Sequence, residues 1–165
     1  MSACKLTSAH RRQVIGLISD THGLLRPEAA AELAGVDLIL HAGDIGKADV
    51  LAELKKIAPL AAIKGNIDRG DWARSLAEQR SVRVGQHRLY LIHNVNDLNF
   101  DPAKRNLRVV VSGHSHKPLI ADRDGVLFVN PGSAGPRRFK LPVAVGKLTV
   151  DGANVRAARN IRLRR

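Results

Sequence analysis

The first 66 residues alternate short apolar runs with helical segments, and each apolar run breaks off into a polar turn. Residues 13–19 (QVIGLIS) read as a buried strand that ends in Asp20-Thr21-His22-Gly23. Residues 27–34 are alanine-rich and begin with proline at a helix-start position. A second strand, 37–44 (DLILHAGD), carries polar residues at its end. From Asp49 to Ala58, Val50, Leu51, Leu54 and Ile57 share one helical face, and Pro59 stops that helix before a third strand, 60–66. A β-α-β-α-β order of this kind implies a parallel sheet with right-handed crossovers.

The second half is strand-rich. Residues 81–85 and 87–93 predict a hairpin about Gly85-Gln86, 108–114 a further strand, and 118–130 a hairpin turning at Asp124-Gly125. Residues 143–150 and 154–163 predict two more strands. The pattern predicts an α/β fold with two packed sheets, a mostly parallel half and a mostly antiparallel half, with helices on the outside. At 165 residues and 44% apolar content, one domain spanning 1–165 accounts for the chain, and the polar, basic residues 1–12 are expected to form a flexible tail. No window approaches the ~20 apolar residues of a membrane span, so no membrane partner is expected. The single cysteine, Cys4, excludes an internal disulfide and suits a reducing, cytoplasmic setting.

Seven metal-competent side chains fall at the carboxyl ends of predicted strands: Asp20, His22, Asp44, Asn66, His93, His114 and His116. In an open α/β sheet those ends line one crevice, so residues far apart in sequence can converge there. Two carboxylates, four imidazoles and one amide carry too much nitrogen for magnesium alone and no thiolate for soft metals, which points to manganese, iron, zinc or nickel. Seven ligands exceed what one tetrahedral ion uses, so two ions sharing a carboxylate are the economical expectation. Two divalent cations outweigh two aspartates, so the centre would attract an anion such as phosphate. Gly43, Gly65, Gly113 and Gly132 are expected to let the backbone turn sharply beside the metals. His10 falls in the tail, His87 at a strand start, and His41 just before a ligand turn, with packing as its expected role.

Asp20-Thr21-His22-Gly23, Gly43-Asp44, Gly65-Asn66-Ile67-Asp68, His93, Gly113-His114-Ser115-His116 and Asn130-Pro131-Gly132-Ser133 occur in the order and spacing of calcineurin-like metallophosphoesterases. From residue 14 to about 150 the chain resembles the small single-domain bacterial and archaeal phosphodiesterases of that superfamily. The resemblance implies a four-layer sandwich of two packed mixed β-sheets flanked by helices. It implies two divalent ions, manganese foremost, the first held by Asp20, His22, Asp44 and His116, the second by Asp44, Asn66, His93 and His114, with Asp44 bridging. It also implies in-line attack on a phosphate diester by a hydroxide shared between the ions, with Asp44, Asn66 and His93 acting through that hydroxide and positioning the phosphate.

Two departures stand out. Many superfamily members carry His after the Gly-Asn pair, as the acid that protonates the departing oxygen; here the position is Ile67, which should favour aryl-type esters and diesters over alkyl monoesters. After His93 the family usually has Gly, where this chain has Asn94, expected to narrow the pocket. Asp68 is expected to orient a ligand or an arginine, and Arg137 and Arg138 are candidates for contact with a substrate anion.

The net charge is +12, and residues 137–165 contribute nine basic residues against Asp151 alone. A nucleic-acid partner, engaged through this C-terminal segment with the metal site as a nuclease, is therefore one alternative. A catalytically weak interaction scaffold, like the retromer-coat subunit of the same branch, is another; the full ligand set argues against it. Relatives are often dimers or tetramers, so a homo-oligomer is a further expectation of the resemblance.

Overall fold

A computed structural model describes residues 11–163. Cys4, His10 and most of the expected tail lie outside the described residues. Arg12, placed in that tail by its polarity, instead opens the first strand, and Arg11 pairs with Asp37 at 3.4 Å.

The chain forms ten strands: β1 (Arg12–Ile18), β2 (Leu38–His41), β3 (Leu60–Ala62), β4 (Gln79–Val84), β5 (His87–Ile92), β6 (Val109–Val111), β7 (Leu119–Arg123), β8 (Val126–Asn130), β9 (Ala144–Asp151) and β10 (Asn154–Arg162). Helices α1 (Pro27–Glu32) and α2 (Ala48–Lys55) connect the first three strands, as the alternation predicts. Both hairpins turn where expected, at Gly85-Gln86 and Asp124-Gly125.

The strands divide into two five-stranded sheets, ordered β10-β9-β1-β2-β3 and β4-β5-β6-β8-β7. Each sheet is mixed. In the first, β1-β2 and β2-β3 are parallel while β9 joins β1 antiparallel. In the second, β5-β6 and β6-β8 are parallel between antiparallel outer pairs. The expected division into a parallel half and an antiparallel half therefore does not hold: the C-terminal hairpin crosses back to β1, and the crossovers of the second half keep its three central strands parallel.

The sheets pack face to face over Ile15, Leu17, Leu40, Leu89, Leu91, Val109, Val111 and Leu148, alternate positions on their strands. Each such side chain contributes about 1.5–3 kcal/mol on full burial. On the outer face of the first sheet, Leu33 of the α1 C-cap and Val50 and Leu54 of α2 close over Ile18 and Ile39. On the outer face of the second sheet, Ile92, Val110, Val126 and Phe128 are covered by Tyr90, Val95 and Leu98. Val95 and Leu98 belong to the single 3-10 turn Val95–Asp97 and its C-cap, where a flanking helix was expected. The segment NVNDLNFDP is the reason: its Asn and Asp side chains bond their own backbone, as Asn94 does to Asn96 N–H at 3.1 Å, and Pro102 limits any helix. Among the described residues no helix is long and apolar enough to cross a membrane.

Candidate metal centre

Parallel register brings the carboxyl ends of β1 and β2 together, with Ile18 beside His41. The turns beyond them bond backbone to backbone: Asp20 N–H donates to Gly43 C=O at 3.0 Å and His22 N–H to Asp44 C=O at 2.9 Å. The second sheet meets them from the other side. Gly113 N–H donates to His93 C=O at 2.9 Å, and His114 N–H donates to Asp20 Oδ2 at 3.1 Å.

The local backbone is unusual where the candidate ligands sit. Asp20, His22, Asp44, His114 and His116 all have φ between +48° and +69°, five of the eight non-glycine residues described in that region. Each such residue costs on the order of 1–2 kcal/mol, and strain of this kind collects at functional sites. The turn glycines act in two ways. Gly43 and Gly132 do adopt positive φ, whereas Gly65 and Gly113 are needed for close approach: a Cβ would lie 2.2 Å from Asp44 Oδ1 at Gly65 and 2.0 Å from Ser19 Oγ at Gly113.

Two groups of potential ligand atoms result, Asp20 with His22 and His116, and Asp20 with Asp44 and His93. Asp20 Oδ1 lies 3.3 Å from His116 Nε2, 3.7 Å from His22 Nε2 and 4.0 Å from His93 Nε2. Asp44 Oδ2 lies 3.3 Å from His93 Nε2 and 3.7 Å from His22 Nε2, so it too stands between the groups. His93 Nδ1 lies 2.7 Å from Ala42 C=O; a carbonyl only accepts, so Nδ1 carries the proton and Nε2 presents its lone pair to the centre. Asp20 Oδ1, His22 Nε2 and His93 Nε2 are buried without a hydrogen-bond partner. Buried polar atoms are rarely left so, and these three face one another. The donor set of carboxylate oxygen and imidazole nitrogen fits divalent manganese, iron, zinc or nickel.

The electrostatics agree. Burial raises the pKa of Asp20, but the imidazoles of His116 and His22 and the Ser19 hydroxyl outweigh it and hold the group well below the ordinary carboxylate range. Burial acts likewise on Asp44 and is outweighed by His93, leaving its pKa lowered. Burial depresses His93, but the adjacent Asp44 carboxylate prevails and raises it. Cations gather readily between two ionised carboxylates.

Asp68 orients the ligand turns through their backbone and, among the described residues, forms no ion pair with an arginine. It is buried, and accepts from Ile45 N–H (3.0 Å) and Gly65 N–H (2.8 Å) through Oδ2 and from Gly46 N–H (2.9 Å) through Oδ1. It thereby fastens the Asp44 turn to the Asn66 turn. Sequence reasoning left His41 to packing, yet it joins the first two ligand turns. Gly43 N–H donates to His41 Nδ1, so His41 Nε2–H donates to Thr21 Oγ1, whose own proton goes to Ile45 C=O. Ser19, Asn130 and Ser133 were also missed. Ser19 Oγ donates to Asp20 Oδ2, Asn130 Nδ2 donates to Gly113 C=O and Ser115 Oγ, and Ser133 Oγ donates to Asp20 C=O. The Asn-Pro-Gly-Ser motif was the signal that could have found the last two.

Asn66 and His114 are exposed at the rim. The His114 ring stands 5.3 Å from that of His93, and Asn66 and His93 line a cleft of about 420 Å³ with Lys64, Arg69, Gln79 and Asn94. Arg137 and Arg138 are exposed and line no part of that cleft.

Fold and site together define a class: two packed mixed sheets that gather carboxylates and imidazoles at their strand ends into a centre suited to divalent metal. Residues 14–153 match the calcineurin-like phosphoesterase superfamily domain, and the chain belongs to that family of metal-dependent phosphoesterases. It is 33% identical to a probable metallophosphoesterase of Methanothermobacter thermautotrophicus, over 87% of this chain and 90% of that protein. It is 27% identical to a phosphodiesterase of Methanocaldococcus jannaschii, over 72% and 82%. Among solved structures, vacuolar protein sorting 29 of Cryptosporidium parvum shares the fold with a TM-score of 0.75 at 19% identity, covering 92% of this chain and 98% of that one.

Proposed function

We propose that this protein hydrolyses phosphate diesters with two divalent ions, manganese foremost. Asp20, His22, Asp44 and His116 hold one ion, and Asp44, Asn66, His93 and His114 the other. The observation that carries this reading is the set of buried, unpartnered atoms on Asp20, His22 and His93, which a bound cation would satisfy. The diesterase-named relative supports the substrate class. When bound, the ions supply an activated water and neutralise charge growing on the phosphoryl oxygens.

The chain's own residues orient and select. Ala42 C=O fixes the His93 tautomer, Asp68 holds the Asp44 and Asn66 turns at a set separation, and the cleft beside His93 accommodates a substrate group with Lys64 and Arg69 on its wall. At the position where a proton donor would serve the leaving group stands Ile67, 46% exposed. With no acid there, leaving groups that depart as stable anions, such as aryl oxides, react best.

The test is hydrolysis of bis(p-nitrophenyl) phosphate beside p-nitrophenyl phosphate, by metal-stripped protein resupplied with manganese, and by a folded Asp44→Ala variant. Metal-dependent diester cleavage that the substitution abolishes is the expected result. Absence of turnover with manganese, nickel, iron and zinc alike would overturn it and leave a scaffold of the same fold.

A further inference from the structure

The second sheet carries a feature that hydrolysis does not use. Arg83 pairs directly with Arg88 across β4 and β5. The backbone ladder continues past the end of β6, with Arg108 N–H donating to Arg88 C=O at 2.8 Å, so Arg108 stands beside Arg88. The same register carries on through Val126 to Arg123 on β7. One row across five strands thus reads Arg83, Arg88, Arg108, Val126, Arg123. Their neighbours Val84, Leu89 and Val109 point into the core between the sheets, so the arginines face outward, alongside Val110 and Phe128 of the outer cluster.

Like charges directly opposite one another on a sheet destabilise it. No described carboxylate forms an ion pair with any of these four. Their described polar contacts are carbonyls: Arg88 donates to Arg105 C=O and Arg108 to Gly125 C=O. Asp101 and Asp122 each spend an oxygen on a backbone N–H. Arg83, Arg88 and Arg123 are exposed and Arg108 half-buried. At a strand spacing of about 4.8 Å the row spans about 19 Å, roughly half of the ~34 Å turn of a nucleic-acid duplex.

We propose that this row docks the phosphate backbone of duplex nucleic acid. Its partner is a regular polyanion, because the guanidinium groups repeat at strand spacing and carry no recognition element of the opposite charge between them. It reads phosphates and not bases: Tyr90 and Phe100 pack edge-to-face on each other, Arg105 covers the Phe100 ring at 3.8 Å and Arg123 lies over Phe128 at 5.1 Å, which leaves no open described ring beside the row for stacking. The row is independent of the metal centre. Arg88 precedes His93 by five residues on one strand, about 16 Å, at the opposite end of the sheet. This moves the nucleic-acid surface from the C-terminal segment, where net charge alone would put it, to an element whose arginines are held in register.

The experiment is fluorescence anisotropy of a labelled duplex against sodium chloride concentration, starting near 50 mM. The full-length protein is expected to bind with a log-log salt slope of about −3 to −4, at roughly −0.9 per phosphate. The triple variant Arg83→Gln/Arg88→Gln/Arg108→Gln should lose about 2 to 3 units of that slope and at least about tenfold in affinity. Its melting temperature and its rate on bis(p-nitrophenyl) phosphate should not fall. A triple lysine variant at the same positions should keep the slope, which guards against loss through misfolding. Failure of the full-length protein to bind at low salt overturns the proposal, as does a glutamine variant with an unchanged slope. So does loss of binding confined to Arg159→Gln/Arg162→Gln, which would return the surface to β10. Binding to phosphatidylglycerol vesicles without duplex binding would replace nucleic acid by a lipid surface.

Discussion

Asp68 satisfies three backbone N–H groups from two turns with one carboxylate, and the only other described side chain that bonds across them is Asp44, whose Oδ1 accepts from Ile67 N–H at 3.2 Å. Removal of Asp68 leaves those three donors without a partner, at about 1–3 kcal/mol for the buried Ile45 N–H and less for the half-buried Gly46 and Gly65. Asp68→Ala should therefore lower stability in urea by about 3 kcal/mol, and weaken manganese binding by roughly 10- to 100-fold in a calorimetric titration. An unchanged affinity would show that the turns keep their positions without it. His41 has a different signature. Burial of the fully enclosed imidazole pushes its pKa down to about 4, against the opposing pull of the Asp20 and Asp68 carboxylates. Between about 4 and 6.5 the unfolded chain binds a proton here that the folded one refuses, so this contribution to stability is complete above 6.5 and is lost as pH falls toward 4. Its size is on the order of 3 kcal/mol. Denaturation midpoints measured from pH 7 to 4 should flatten in His41→Asn relative to the parent. Ile67 offers a gain of function instead. Ile67→His would place a proton donor at the rim, and alkyl monoester hydrolysis should rise at least about tenfold relative to aryl diester hydrolysis.

At the scale of elements, the C-terminal hairpin is structural. Strand β9 pairs with β1 along its length, β10 pairs with β9, and Asn160 Nδ2 reaches Asn130 C=O at 3.0 Å, behind the turn that carries His114 and His116. A chain ending at Gly152 should lose cooperative unfolding by circular dichroism, since β9 becomes a bare edge and the Asn130 turn loses its support. In contrast, Arg159→Gln/Arg162→Gln should stay within about 0.5 kcal/mol of the parent, as surface substitutions do. If the truncated chain melted like the whole one, β10 would be an appendage and not part of the sheet.

For the molecule as a whole, metal and fold are linked. Ligand turns in left-handed backbone, with buried nitrogen and oxygen atoms left unpartnered, store strain and desolvation that bound cations offset. Each manganese site filled at 100 times its dissociation constant should raise stability by about 2.7 kcal/mol, or roughly 5–10 °C in melting temperature. The gain should shrink as pH falls through the raised pKa of His93, because the imidazole must shed its proton to coordinate. Differential scanning calorimetry of stripped and loaded protein at pH 6 and pH 8 checks both statements.

The amino-acid order alone determined the local features: strand and helix periodicity in the first 66 residues, the turns at Gly85-Gln86 and Asp124-Gly125, and the placing of ligand-type residues just past strand ends. Each of these depends on neighbours within a few positions, so spacing and turn chemistry encode them. Only the tertiary structure decided which strands share a sheet. Gln13 pairs with Val150, a choice settled by competition among edges far apart in the chain. It also decided that Asp68 would bind backbone and not arginine, that a 3-10 turn would stand in for a helix over the second sheet, and that four arginines from separate strands would fall into one row. Such outcomes depend on register between distant segments, a property no local pattern carries.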